Sequence, residues 1–118
     1  MPKNSGVRET YYPYTFSEYV SRLPEPYKCA VQSMIYTGDV EKSALLFSKE
    51  HDLTFSQESD LTAIFFMALV GAENVLDIAK HLTETLEWDQ CLAHEAQIAF
   101  VSELFREMMF RSFDVQKG

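Results

Sequence analysis

From Leu61 to Val70 the chain runs Leu-Thr-Ala-Ile-Phe-Phe-Met-Ala-Leu-Val, apolar on nearly every side, and Gly71 closes the run. A helix that is hydrophobic all round has to be enclosed by other elements, because no side of it is suited to water. Ten residues make a helix about 15 Å long, roughly half of what a bilayer core requires. The run therefore predicts the central helix of a packed core and not a membrane span.

What surrounds that helix is predicted to be more helix. The chain has 118 residues, of which 47% are hydrophobic, a normal size and composition for one globular domain. Four glycines and four prolines are few, and helix formers dominate from Ser17 onward, which argues against a sheet protein. The expected fold is all-α, a compact bundle of five to six helices. Residues 14–113 form the expected single domain, with an aromatic arm, partly flexible, over residues 1–13 and a flexible tail over residues 114–118. The start, Met-Pro-Lys-Asn-Ser-Gly, lacks the apolar stretch of a secretory signal, so a cytoplasmic location is expected. Cys29 and Cys91 sit in apolar helical contexts and are expected to be buried free thiols, with a single disulfide between them as the alternative.

Helix boundaries follow from start and stop chemistry. Thr15-Phe16-Ser17-Glu18 is a capping box, and Tyr14 and Tyr19 are placed as its hydrophobic staple, opening a short helix over 16–22. Pro24 and Pro26 end that helix and pre-set a second over 25–36. Thr37-Gly38-Asp39 stops the second and caps a third over 40–51, expected to bury Val40, Ala44, Leu45 and either Phe47 or Leu46. Thr54-Phe55-Ser56-Gln57 is a second capping box and opens the central helix. A fifth helix carries Val75, Ile78, Ala79, Leu82 and Leu86 on one stripe, with Glu73, Asp77, Lys80, Glu84 and Glu87 on an expected solvated face. Asp89 caps the last and longest helix, over 90–112.

The second half of the chain repeats the first weakly, at a period of 33 residues. Gly38 matches Gly71, and Leu53-Thr-Phe55-Ser-Gln57 matches Leu86-Glu-Trp88-Asp-Gln90. Two helical hairpins of one design are predicted, with Phe55 and Trp88 each plugging its corner. The same stretch, from Gly38 to Met109, has a Val-bearing opening helix, His-Asp-Leu-Thr-Phe-Ser-Gln, an apolar helix ending Ala-Leu-Val-Gly, a Leu-x-x-x-Leu helix and a final helix around Ile98 and Phe105. In that order it resembles uncharacterised small helical proteins common in ultra-small, reduced-genome bacteria of the candidate phyla. The resemblance covers about 70 residues of helix punctuation. It implies a helical fold and brings with it no activity, cofactor or catalytic residue.

Charge narrows the partners. The net charge is −8, and between Glu50 and Glu103 eleven carboxylates stand against one base, Lys80. Such a surface repels phosphate, which disfavours direct contact with nucleic acid or anionic lipid and steers basic protein partners inward. The three histidines, His51, His81 and His94, offer little chemistry. Asp77 and His81 lie four apart and Cys91 and His94 three apart, so each pair could face one ligand, but neither supplies the Glu-x-x-His that a di-iron bundle needs on each of two helices. There is no second histidine for a zincin, no glycine-rich phosphate loop and no serine in a nucleophile turn. No cofactor or metal is expected, and no enzymatic activity.

Two features exceed what a minimal core requires. The last helix carries Ile98, Val101, Phe105, Met108 and Met109 on one stripe and Phe100, Leu104 and Phe113 toward another. That arc is wider than one packing face needs. The arm crowds Tyr11, Tyr12, Tyr14 and Phe16 around Pro13, and tyrosine suits half-wet contacts. The candidate interface residues are Phe100, Leu104, Met108, Phe113, Tyr11 and Tyr12. The expected function is a non-enzymatic acidic helical protein-interaction module that self-associates, with a homodimer as the simplest case. An acidic inhibitor or nucleic-acid mimic on a basic protein surface is the alternative, and a small-ligand-binding helical domain the second.

Overall fold

The structure, a computed structural model, describes residues 12–117 and is all-α. Helices α1 (Phe16–Arg22), α2 (Tyr27–Thr37), α3 (Asp39–His51), α4 (Phe55–Leu69) and α5 (Ile78–Glu84) are followed by α6 (Gln90–Ala99). A π-helical stretch, Phe100–Phe105, then joins α6 without a break to α7 (Arg106–Lys117), making six helices among the described residues when the last is taken as one. Both capping boxes form: Thr15 and Thr54 each accept from the backbone three residues on, while Glu18 and Gln57 reach back. The Tyr14 and Tyr19 rings meet edge to face, 5.4 Å apart, which closes the staple. Gly38 turns the chain from α2 into α3 at φ +71°, a left-handed conformation that glycine adopts without strain.

Helix α4 lies at the centre, burying Leu61, Ile64, Phe65, Met67, Ala68 and Leu69. Phe65 is fully buried, its ring 5.5 Å from that of Phe100, while Phe66 is half-buried with Phe16 at its edge. Helix α3 packs on α4 and α5 on α6, so both predicted hairpins exist, and α2 packs along α7.

The corners correct the predicted pairing of the repeat. In each hairpin a left-handed residue, an apolar residue and an N-cap follow one another: Asp52, Leu53 and Thr54 in the first, Glu87, Trp88 and Asp89 in the second. Trp88 is buried in its corner, but its counterpart is Leu53, because Phe55 is the first residue of α4 and is 86% exposed. The register slips by two residues because Asp52 follows directly on the end of α3 at His51, whereas Thr85 and Leu86 stand between the end of α5 at Glu84 and Glu87.

Three further expectations on burial are corrected. Helix α3 packs through Val40, Ser43, Ala44, Phe47 and Ser48, which leaves Leu45 and Leu46 on the opposite side and exposed. Cys29 and Cys91 are both free and both exposed, since α2 turns Ala30, Val31 and Met34 inward and α6 turns Ala93 and Ala96 inward. Glu73, read as part of a solvated face, is buried.

Candidate functional site

The last helix decides which apolar residues meet water. Its inward series is Ala93, Ala96, Phe100, Leu104, Met108 and Ser112, all buried, and from Ala96 onward the spacing is four. Four residues overshoot a 3.6-residue turn by about 40°, so in an unbroken α-helix this series would wind off the core. The wider i→i+5 turns of Phe100–Phe105 absorb the overshoot and hold the series in line against α3 and α4. Beyond it, the buried Ser112 hydroxyl is satisfied by donating to the Met108 carbonyl at 2.7 Å.

The same turns select the outward series. Ile98, Val101, Phe105, Met109, Phe110 and Phe113 are 38 to 59% exposed. This reverses most of the expected interface: Phe100, Leu104 and Met108 are core, and of the candidates on this helix only Phe113 faces outward. Of the stripe Ile98, Val101, Phe105, Met108 and Met109, all but Met108 lie on the surface. Tyr12 is buried, and Tyr11 lies outside the described residues.

The face has two unlike borders. On one side Ser43 donates to Glu103 at 2.8 Å, and Arg111 donates to Glu107, Asp39, Ser33 and Thr37 at 2.7 to 3.3 Å, tying α7 to the corner between α2 and α3. These polar groups are already engaged. On the other side Phe105 and Met109 run into a groove of about 450 Å³ whose walls include Leu23, Tyr27 and Val75.

A second constellation is polar and buried. Gly71, at φ +82°, turns the chain back so that the N–H groups of Ala72 and Glu73 both donate to the Met67 carbonyl. This tucks Glu73 inward, where its Oε1 accepts from the Tyr12 hydroxyl at 2.6 Å and from His81 Nδ1 at 2.9 Å. All three side chains are buried beside a cleft of about 360 Å³ that Asn74, Asp77, Lys80 and Thr85 also line. His81 thus pairs with Glu73, eight residues before it and outside the helical spacing that the sequence offered. No sequence pattern marked Glu73, because a carboxylate among other carboxylates reads as solvated.

The cluster fastens the chain ahead of α1 to the corner between α4 and α5. Tyr12→Phe removes one hydrogen bond to a buried carboxylate and is expected to cost about 1 to 3 kcal/mol, read as a lower denaturation midpoint. Tyr14→Phe, at an exposed position, is expected to leave the midpoint within about 0.5 kcal/mol. Equal midpoints for the two variants would mean that the Tyr12 hydroxyl contributes nothing to the fold.

Among the described residues no group of three His, Cys, Asp or Glu side chains is placed to hold a metal ion, and no helix is long and apolar enough to cross a membrane. Comparison with known proteins returns no match to a family model, a curated sequence or a solved structure.

Proposed function

We propose that the protein is a non-enzymatic, acidic helical module that binds protein, a second copy of itself first of all, through the outward face of its last helix. The observation that supports this is the outward series from Ile98 to Phe113, large apolar side chains exposed along one helix beside an apolar groove. Apolar patches of more than a few hundred Å² are uncommon on monomers and mark interaction sites. Phenylalanine and methionine suit such a surface, since one brings large area and the other an adaptable shape. The expected compartment is the cytoplasm, with no direct contact to nucleic acid or membrane.

The alternative, an acidic inhibitor or nucleic-acid mimic, has its own supporting observation, since eight of the eleven carboxylates between Glu50 and Glu103 are exposed. Salt separates the two. Two copies that each carry −8 repel one another, so raising salt from about 0.1 M to about 1 M, which cuts the screening length from about 10 to about 3 Å, strengthens an apolar dimer. The same change dissolves a complex made by charge. Light scattering of the wild-type chain at micromolar concentration is expected to give a dimer whose dissociation constant falls with salt, and Val101→Glu a folded monomer. A wild-type monomer at all salt concentrations would defeat self-association.

A further inference from the structure

Glu73 lines two hollows at once, the polar cleft beside Tyr12 and His81 and the apolar groove beside Phe105 and Met109. We infer that the groove is a binding site for a small hydrophobic amine, whose apolar body lies among Tyr27, Val75 and Met109 and whose ammonium group meets the Glu73 carboxylate. The site goes beyond the self-association proposed above and does not depend on it, because Glu73 and the groove belong to one copy.

Charge is the first argument. Glu73 is 9% exposed, and a carboxylate so deeply placed is ordinarily matched by a fixed cation. Among the described residues no lysine or arginine stands within ion-pair distance of it. Both of its donors, the Tyr12 hydroxyl and His81 Nδ1, converge on Oε1. Oε2 accepts from no donor among the described residues, yet it is not sealed into the core. The fold thus holds the carboxylate by one oxygen and leaves the other open, with lone pairs that a cationic N–H would fill. The net charge of −8 draws cations toward the chain.

The lining of the groove sets what else the cation carries. At about 450 Å³ the groove is within the range of sites that take small organic ligands, and Glu73 is the one charged residue among the described residues that line it. Leu23, Tyr27, Leu69, Val75, Phe105 and Met109 form walls against which an apolar or aromatic body is buried, and two of them are aromatic rings. The cleft on the other side of Glu73 is lined by Asp77, Lys80, Glu84 and Thr85, which offer an apolar body little to pack on, and Lys80 repels an ammonium group. The groove is therefore the side from which an amine with an apolar body approaches.

The probe is phenethylamine, titrated into the isotope-labelled full chain and followed by amide NMR shifts at about pH 8, above the range in which imidazole ordinarily titrates. Phenethyl alcohol, of the same size without the charge, is expected to bind about 10- to 100-fold more weakly, the worth of a hydrogen bond to a charged group. Glu73→Gln is expected to weaken the amine by a similar factor and to leave the alcohol unchanged, while Tyr27→Ala weakens both. Lys80→Ala, on the cleft side alone, is expected to leave both unchanged. Equal affinity for amine and alcohol on the wild-type chain, a comparison that needs no variant to fold, would overturn the inference. Shifts confined to Lys80, Glu84 and Thr85 would also overturn it, by placing the amine in the cleft. Val101→Glu is titrated alongside, and tighter binding there than in the wild type would support the site and show that a second copy covers it. No shift in either chain at millimolar amine would defeat the site. Light scattering reads self-association separately, so the failure of one proposal leaves the other standing.

Discussion

Placing a glutamate at Phe100 is expected to unfold the protein, whereas the same change at Phe105, five residues on, is expected to leave it folded and alter only its association. Phe100 is fully buried against Phe65, and Phe105 is 38% exposed. An ionised carboxylate at Phe100 would be confined within the apolar core cluster. The effective penalty for an unpaired charge in a protein interior is several kcal/mol, and the packing of a large aromatic ring is lost with it. Domains of this size hold about 5 to 15 kcal/mol in total, so the sum reaches the whole of the stability. Leu104→Glu, at 2% exposure, is expected to behave as Phe100→Glu does. Circular-dichroism melts together with light scattering distinguish the outcomes. A Phe100→Glu variant that melts like the wild type would mean that the π-helical register is wrong and that this side chain faces outward.

That pair of substitutions also marks where sequence reading stops. The start and stop signals were legible because they are local chemistry: Thr15 with Glu18, Thr54 with Gln57, and Gly38 each act within a few residues of where they stand. The central helix was legible because Leu61 to Val70 leaves no polar side to expose. Inside the last helix, the choice between two apolar series depends on helical pitch, and a period of 3.6 sets Ile98, Val101, Phe105, Met108 and Met109 on one stripe without saying which side of the arc is core. The spacing of four across Phe100, Leu104, Met108 and Ser112 was on the page, but it becomes a packing line only when the turns widen. Nothing local announces that widening. Phe100, Leu104 and Met108 fill the space beside α3 and α4, and tertiary packing overrides the local period.

Glu73 escaped for a related reason. Its neighbours Asp77, Glu84 and Glu87 are exposed, and nothing in the local pattern sets it apart from them. Its burial depends on Tyr12, 61 residues away, and on the turn at Gly71 that folds it back. The hairpin corner is a similar case. Matching residues at a fixed spacing paired Phe55 with Trp88, while the backbone pairs Leu53 with Trp88, because left-handed Asp52 and Glu87 set where each corner lies. A left-handed glycine can be read from sequence with some security; a left-handed aspartate or glutamate cannot.

Phe65→Ala is expected to lower stability by about 3 to 5 kcal/mol, the range for emptying a fully buried aromatic site whose walls only partly collapse. At about 4 °C per kcal/mol for a domain near this size, that is a fall in melting temperature of about 12 to 20 °C. Phe66→Ala is the control within the same helix turn. Its ring is half-buried at the edge of Phe16, so only part of its area leaves water, and a loss of about 1 to 2 kcal/mol is expected. Near-equal losses for the two would mean that α4 is rotated about its axis and that its all-apolar sequence is shared between core and surface. The partner ring sharpens the measurement. Phe65 and Phe100 touch at 5.5 Å, so Phe100→Ala made on top of Phe65→Ala opens one larger void and not two separate ones. The double variant is therefore expected to lose less than the sum of the single losses, by about 0.5 kcal/mol or more. Strict additivity would mean that the π-helical segment does not press Phe100 onto the central helix.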